Sequence, residues 1–516
     1  MVFVYNVCYN IIILRGDNDM KLRELLKDVD YTLVQGDLEL EIKDITYDSR
    51  KANETNAFVA LKGFRVDGHD YISNASMNGC RCLIVQDDVQ VDSNITVVKL
   101  EDTRTDLSKL SRTLFDYPDK EMTVVAITGT KGKTTTSTMI RKMLEDSGKA
   151  CGLIGTMGVF YQDKFYHTMN TSPESYDVFK YMREMLEHGV KYLVMEVSSQ
   201  SLKLKRWSNV IFDYAVFTNL SLDHVGGDEH PDFEDYKHCK SLLFEQCKVG
   251  LFNIDDDYCD YMSGHCKGEI LTFGYDSRAD FKLVSADNML DSSFIGIEME
   301  VSGKIKGTFK VSIPGEFTAY NAVAAIGICS LLGLSVEDMK KSLINVSVKG
   351  RLEPVTVSSN FHVLIDYAYQ GIAMENVLAT MKEANPKRIV TVFGCGGNRS
   401  VQRRYDCGEV SGKYADLSIL TADNPRYEDN NKIIEDILVG MKKTDGKYVI
   451  IPDRKEAIKY SIVNAQKGDI ILILGKGHED YQEIEGVRYP FDERVIIREI
   501  LDDLSNEDKE RLGIIQ

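Results

Sequence analysis

The sequence predicts an α/β protein of three domains, and three observations carry that reading. The chain has 516 residues, too many for a single hydrophobic core. Two long stretches repeat a rhythm of apolar strand then amphipathic helix, the pattern of βα units on a parallel sheet. One segment, Ala126-Ile-Thr-Gly-Thr-Lys-Gly-Lys-Thr-Thr-Thr136, has the makeup of a strand, a glycine turn and a helix start.

Composition narrows the function. Apolar residues make up 43% and charged residues 28%, as in a soluble globular protein. A net charge of -18 argues against a nucleic-acid surface, which needs a basic face, but leaves room for a small anionic substrate in a local basic pocket. The eleven cysteines contain no C-x-x-C pair, so neither a zinc ribbon nor a redox dithiol is indicated, and they read as reduced cytosolic thiols. The apolar start of the chain lacks a basic leader and a cleavage site and is too short to span a bilayer. Residues 1–19 are expected to be an upstream extension, with Met20 the natural start. A cytoplasmic monomer without membrane or nucleic-acid partners is expected.

The first domain is expected over residues 20–116, where short apolar runs such as 57–61 and 82–85 alternate with polar turns. Two polar loops, Thr46-Tyr-Asp-Ser-Arg50 and Gly63-Phe-Arg-Val-Asp-Gly-His69, bracket a strand. Alone they read as solvated turns.

The second domain, residues 117–349, opens on the phosphate cradle and is expected to be of P-loop type on a parallel sheet. A strand over 122–127, Gly129 and Gly132 at the turn, and a helix over 133–143 aim backbone N–H groups and a positive helix end at an anion. Lys133 adds a cation for terminal phosphates and Thr134 a hydroxyl for magnesium. The match is the short G-x-x-G-K-T, because the longer pattern would need glycine at Ile127. A helix over 175–188, strands over 191–195 and 213–219, and a helix over 232–247 carrying Lys240 continue the rhythm. Thr128, Glu196 and Asp223-His224 fall at carboxyl ends of strands, where open parallel sheets gather ligands. Glu196 supplies a carboxylate for magnesium and His224 a second ligand. Zinc on Glu196, His224 and His230 is possible by residue type but disfavoured, since the phosphate loop already accounts for a metal. An antiparallel hairpin is expected from 293–301 and 308–313, then a helix over 317–332.

The third domain, residues 350–516, reads as Rossmann-like, with strands over 363–367, 388–393, 417–421, 448–451 and 469–474. Polar clusters follow three of them: Gly394-Cys-Gly-Gly-Asn-Arg399, Asp423-Asn-Pro-Arg426 and Gly475-Lys-Gly-His-Glu479. Together they suggest a second binding surface. Cys395 lacks an evident histidine partner and reads as a packed thiol.

Six or seven motifs in order resemble the Mur ligases of bacterial cell-wall synthesis, most closely the branch that completes the UDP-muramoyl tripeptide. They are Gly129-Thr-Lys-Gly-Lys-Thr-Thr135, Asn170-Thr-Ser-Pro173, Met195-Glu-Val-Ser-Ser199, Thr218-Asn-Leu-Ser with Asp223-His224, Gly350-Arg-Leu-Glu353, Asp423-Asn-Pro-Arg426 and Gly475-Lys-Gly-His-Glu479. The resemblance implies an ATP-dependent ligation through an acyl phosphate, with magnesium as cofactor and ATP as substrate. It places Gly129, Thr130, Lys131, Gly132, Lys133, Thr134 and Thr135 on the ATP phosphates, Asn321 at the adenine, Arg351 at the phosphates and Asp366 at the ribose. Thr134, Glu196, His224 and Lys240 would hold metal, Lys240 as an N6-carboxylysine carbamate, since a carbamate is an oxygen ligand and an ammonium is repelled. Tyr47, Ser49 and the loop from Gly63 to Arg65 would lie along the uridine diphosphate. Asn170, Thr171, Ser172, Ser198 and Arg206 would contact the muramoyl dipeptide. Arg399, Asp423, Asn424, Pro425, Arg426, Gly475 and Glu479 would face the incoming amino acid.

Arg426 sharpens that last choice. Its planar fork suits a carboxylate, which meso-diaminopimelate carries at its distal end and lysine lacks, so meso-diaminopimelate is expected. Four departures from the family pattern stand out: Gln200 in place of the usual histidine, Thr318 in place of asparagine, Tyr369-Gln-Gly371 in place of His-Thr-Pro, and a longer loop over 224–230. The alternatives are the same ligation with L-lysine or another diamino acid, a folylpolyglutamate synthetase-like ligase, a P-loop switch or transport ATPase, and a precursor sensor without turnover.

Overall fold

The computed structural model describes residues 20–63, 66–168, 170–222, 226, 229–290 and 294–515. Among them no helix is long and apolar enough to cross a membrane. Contacts divide the chain into two compact units, one of residues 1–130, 148–250 and 260–270, the other of residues 131–147, 251–259 and 271–516.

The first unit begins with a five-stranded sheet. Asp44–Thr46, Asn56–Val59, Cys82–Val85 and Thr96–Leu100 run parallel, and Tyr31–Gln35 closes the edge antiparallel. Asn56–Val59 and Cys82–Val85 are buried along their whole length, as parallel strands covered on both faces must be. The edge strand Tyr31–Gln35 is exposed along most of its length. The two loops expected to bracket a strand do flank Asn56–Val59; Phe64 and Arg65 lie outside the described residues.

The same unit holds the phosphate-loop strand Thr123–Thr128, with Tyr192–Glu196 parallel on one side and Phe212–Phe217 parallel on the other. Cys151–Gly155 extends the parallel set. Beyond it Gly158–Tyr161 and Lys164–Tyr166 add antiparallel strands that the sequence reading did not anticipate. The register sets Glu196 beside Ile127, so both strands end at one level. The helix expected over 232–247 is shorter: Phe233–Ser241 is α-helical, Leu242–Gln246 tightens into a 3-10 turn, and Cys247 already begins the strand Cys247–Asn253. Asp232 caps it by accepting from the Asp235 N–H at 2.8 Å.

In the second unit the helix Lys133–Asp146 packs with the helix Glu316–Leu331, which is apolar on every face and buried nearly throughout. The expected hairpin is present, Ile297 pairing with Val311, and Phe281–Leu290 adds a long strand on its other side. The C-terminal sheet orders its strands Glu353–Val355, His362–Asp366, Asp469–Leu474, Arg388–Phe393, Leu417–Leu420 and Tyr448–Ile450, all parallel except the first. Asp469–Leu474, last of these in sequence, is inserted between His362–Asp366 and Arg388–Phe393, the first two parallel strands in sequence. The ends of His362–Asp366, Asp469–Leu474, Arg388–Phe393 and Leu417–Leu420 therefore share one edge, and the polar clusters of the third domain follow them.

Candidate active site

The phosphate loop is held open by glycine geometry. Gly129 and Gly132 adopt φ of 150° and 85°, and Gly132, which has no side chain with which to cap, precedes the helix Lys133–Asp146. A helix start preceded by glycine is where an anion is well received. A Cβ on Gly132 would stand 2.2 Å from Asn321 Oδ1, and Thr136 Oγ1 donates to the same oxygen at 3.3 Å. Asn321 is thus packed under the second glycine of the loop. On the strand side, Thr130 N–H donates to Asn219 O at 2.9 Å and Ser221 N–H to Thr130 Oγ1 at 3.0 Å. A Cβ on Gly129 would meet Thr218 Oγ1 at 1.9 Å. The Thr218-Asn-Leu-Ser motif is therefore the wall against which the first half of the loop is built.

Glu196 is fully buried. Its two carboxylate oxygens accept from Thr156 N–H at 3.2 Å and Thr156 Oγ1 at 2.9 Å. Thr156 Oγ1 also lies 3.2 Å from Thr171 Oγ1. Ser172 Oγ donates to Glu196 O at 2.9 Å and accepts from Ser198 N–H at 3.2 Å. Arg206 donates to Ser172 O at 2.7 Å and pairs with Glu174 at 2.9 Å, and Glu174 also pairs with Arg104 at 2.8 Å. The structure thus joins Thr171, Ser172, Ser198 and Arg206 into one network around Glu196, while Asn170 stays exposed. Thr156 was missed by the sequence reading; it stands in Gly155-Thr156, where a glycine packs on Glu196 so closely that its Cβ would fall 2.2 Å from Oε1.

Lys240 is 2% exposed, donates through Nζ to Gly129 O at 2.9 Å, and lies 4.6 Å from the centroid of the Tyr236 ring. His224 lies outside the described residues. Of the zinc set, only Glu196 and His230 are described, and His230 Nδ1 lies 2.6 Å from Asp235 Oδ2 and Nε2 2.9 Å from Ser199 Oγ. Among the described residues His230 converges with Asp235 and Cys239. Asp235 also carries Lys203 at 2.7 Å, so its charge is balanced within a hydrogen-bond network.

Tyr47 donates to Asp177 Oδ2 at 2.7 Å and Tyr176 to Asp44 Oδ2 at 2.9 Å, and burial beside these carboxylates pushes both phenols up. Ser49 is buried and its carbonyl accepts from Asn78 at 2.9 Å.

In the second unit Asp366 accepts from Leu352 N–H at 2.7 Å and Ala368 N–H at 2.8 Å, and burial holds its carboxyl above the usual range. The Arg351 guanidinium lies 5.6 Å over the Tyr367 ring. Gly350 N–H donates to Glu353 at 2.7 Å, and Glu353 pairs with Arg494 at 2.8 Å.

At the shared edge of the C-terminal sheet a cavity of about 200 Å³ is lined by Arg399, Asp423, Asn424, Arg426, Gly475 and Glu479. All six were expected from sequence. Pro425 turns away, its carbonyl lying where a Cβ on Gly397 would be, at 1.9 Å. Tyr367, Tyr369, Gly396 and Arg403 line the same cavity; Gly396 falls in the polar cluster 394–399 and Tyr369 in a departure from the family pattern, but none of the four was given a site role by the sequence. Asn424 is fixed on three sides: its Nδ2 donates to Glu479 at 2.8 Å, and its Oδ1 accepts from Lys476 at 3.0 Å and from Glu483 N–H at 2.9 Å. Burial raises the Glu479 carboxyl against the pull of Lys476. Arg426 donates to Gly397 O at 2.6 Å and lies 3.5 Å from Glu483. Under the floor, the buried Arg454 pairs with Glu493 at 2.6 Å and donates to Ala422 O at 3.1 Å and Leu474 O at 2.8 Å.

A phosphate loop heading one parallel sheet, with a polar pocket of mixed charge at the strand ends of another, defines a nucleotide-dependent enzyme with a separate small-molecule site. Family profiles match in three pieces: the Mur ligase family catalytic domain over residues 41–113, the Mur ligase middle domain over 127–329 and the Mur ligase glutamate ligase domain over 350–477. The chain belongs to the Mur ligase family. A relative from Caldanaerobacter subterraneus subsp. tengcongensis, a UDP-N-acetylmuramoyl-L-alanyl-D-glutamate--2,6-diaminopimelate ligase, is 42% identical across 93% of this chain and 99% of its own length. Ligase 1 of that name from Clostridium acetobutylicum is 39% identical over 94% of this chain and 100% of its own. A solved UDP-N-acetylmuramoyl-L-alanyl-D-glutamate--2,6-diaminopimelate ligase superposes with a TM-score of 0.72 at 26% identity, covering 94% of this chain and 99% of that one. Mycobacterium tuberculosis folylpolyglutamate synthase shares the fold at 16% identity and a TM-score of 0.56, over 72% of this chain and 92% of its own.

Proposed function

We propose that this chain is an ATP-dependent ligase that adds meso-diaminopimelate to UDP-N-acetylmuramoyl-L-alanyl-D-glutamate in peptidoglycan precursor synthesis. One observation carries the reading: relatives bearing that activity in their names align over nearly the whole chain at 42% and 39% identity. The amino-acid pocket supports it, offering cations for carboxylates and Asp423 and Glu479 for an ammonium.

In this reading the γ-phosphoryl group of ATP passes to the terminal carboxylate of the dipeptide, breaking the bond to the bridging oxygen of ADP. The amine of the incoming amino acid attacks the acyl phosphate carbon, loses a proton, and inorganic phosphate leaves. Residues 129–135 with Lys133 hold the phosphates, and Arg351, Asp366 and Asn321 serve the rest of the nucleotide. Thr171, Ser172, Ser198 and Arg206 hold the dipeptide, and Tyr47 and Ser49 the uridine diphosphate. The donor set suits magnesium: Glu196 offers carboxylate oxygens, Thr134 a hydroxyl, and Lys240 an oxygen ligand once carbamylated. Bound there, magnesium would neutralise charge that builds on the transferring phosphoryl group. His224 completes that set by the family pattern.

The test incubates the protein with ATP, magnesium and UDP-muramoyl-alanyl-glutamate, adding meso-diaminopimelate, L-lysine or ornithine in turn, and follows phosphate release and product mass. Tripeptide formed only with meso-diaminopimelate supports the reading. Equal turnover with lysine removes the amino-acid assignment, and phosphate without tripeptide points to a nucleotide switch. Binding of the precursor without phosphate release points to a sensor.

A further inference from the structure

Three guanidinium groups line the amino-acid cavity, and they are not equivalent. Arg426 already spends a donor on Gly397 O at 2.6 Å and has Glu483 at 3.5 Å. Arg399 and Arg403 make no hydrogen bond or ion pair among the described residues, although both face the cavity. Arg403 is half-buried and its guanidinium sits 5.2 Å over the Tyr369 ring, within the range of a cation–π contact. Tyr369 in turn stacks edge-on against Tyr367, ring centroids 5.0 Å apart, and Tyr367 lines the cavity too. The tyrosine stands in Tyr369-Gln-Gly371, where this sequence departs from the family pattern.

The charges of the ligand and of the wall can then be matched. A diamino dicarboxylate entering with one amine as nucleophile brings two carboxylates and one further ammonium. Asp423 and Glu479 suit the ammonium. Arg426, with its donors partly committed, suits one carboxylate at most, and a second needs a cation with donors to spare. A cation held on an aromatic face keeps its N–H edge free for an anion, because the ring takes the flat face of the guanidinium.

We propose that Arg403, positioned by Tyr369, forms with Arg399 a carboxylate subsite of the amino-acid pocket, so that selection of a dicarboxylate over a monocarboxylate rests on Arg403 as well as on Arg426. This rests on the ligase reading given above. Tyr369 is a positioning residue: it touches the guanidinium and leaves the ligand to it.

The experiment measures kcat and KM for meso-diaminopimelate, L-lysine, ATP and UDP-muramoyl dipeptide, with direct calorimetric binding of meso-diaminopimelate, for the full-length wild type and for Arg403→Ala, Arg403→Lys, Tyr369→Leu and Tyr369→Phe. Losing one charge-assisted contact corresponds to about tenfold or more. Arg403→Ala is therefore expected to raise KM for meso-diaminopimelate by about that factor, leave KM for ATP in place, and shrink the preference over lysine. Arg403→Lys recovers part of the loss. Tyr369→Leu moves KM the same way, and Tyr369→Phe, which keeps the ring, moves it less. Unchanged meso-diaminopimelate KM and binding in Arg403→Ala, with an active wild type, overturns the subsite and leaves the ligase reading standing. A wild type that turns over only lysine overturns the subsite and the meso-diaminopimelate assignment and leaves ATP-dependent ligation standing, since a monocarboxylate needs no second anion subsite. A wild type without turnover overturns the ligase reading alone if calorimetry still finds meso-diaminopimelate binding that Arg403→Ala loses.

Discussion

Lys240 donates its Nζ to the carbonyl of Gly129 over 2.9 Å, fastening the helix Phe233–Ser241 to the first half of the phosphate loop. The pair separates two roles of one side chain. Lys240→Arg keeps a donor that can reach a carbonyl but cannot be carbamylated, because a guanidinium does not give up its proton. Lys240→Met keeps neither. Urea unfolding is expected to place Arg near wild type and Met lower by about 1.5–3 kcal/mol, while both lose ligation. An active Lys240→Arg enzyme would remove the carbamate from the reading.

Gly132 offers a second test. Its φ of 85° and the 2.2 Å approach of Asn321 Oδ1 to a would-be Cβ set two separate costs on Gly132→Ala, a steric one and a backbone one of about 1–2 kcal/mol. Nucleotide affinity is expected to fall at least about tenfold, read by calorimetry with ADP. Adding Asn321→Ala relieves only the steric part, so recovery stays incomplete.

His478 gives a pH dependence. Burial, then the positive Arg351, Lys349 and Arg494, hold its imidazole at about 4, below the ordinary 6.5. Between those values the unfolded chain takes up a proton that the folded one refuses, so stability falls as pH drops from 6.5 towards 4. The contribution is on the order of 1–3 kcal/mol. Comparing urea unfolding at both ends of that window, the wild type loses more than His478→Gln by that amount; equal losses would place the pH dependence elsewhere.

Arg454 lies beneath the proposed amino-acid pocket without lining it. Removing its charge leaves Glu493, itself fully buried, without its partner, which costs about 3–5 kcal/mol. Arg454→Met with Glu493→Leu should restore most of the thermal stability. Affinity for the amino acid should stay low in that double variant, because the carbonyls of Ala422 and Leu474, adjoining Asp423 and Gly475, lose their common donor.

The legible parts of the site were those in which chemistry follows sequence spacing. Glycines, a lysine and a threonine in one short run announce a phosphate loop, and Glu196 declared itself by ending an apolar run. The supporting contacts were not legible. Thr156 on Glu196 and Asn321 under Gly132 are meetings of residues 40 and 189 positions apart, and nothing local marks them. Tyr369 stood out only as a departure from the family pattern and Arg403 not at all, and neither was given a site role, because nothing in the sequence shows that the sheet edge brings both to one cavity. The hairpin of Gly158–Tyr161 and Lys164–Tyr166 escaped because its strands are only four and three residues long. The helix read over 232–247 was overextended because Leu242, Leu243 and Phe244 continue an apolar pattern that the backbone answers with a tighter turn.

Asn424 is held by Lys476, Glu479 and the backbone of Glu483 before any amino acid arrives. A floor so braced has few rotamers left to lose, so the entropy of ordering falls on the ligand and on the arginines of the wall. Selectivity then behaves as a lock with a rigid base and adjustable wards: substitutions in the floor should abolish recognition of every amino acid alike, whereas substitutions in the wall should redirect it from one to another.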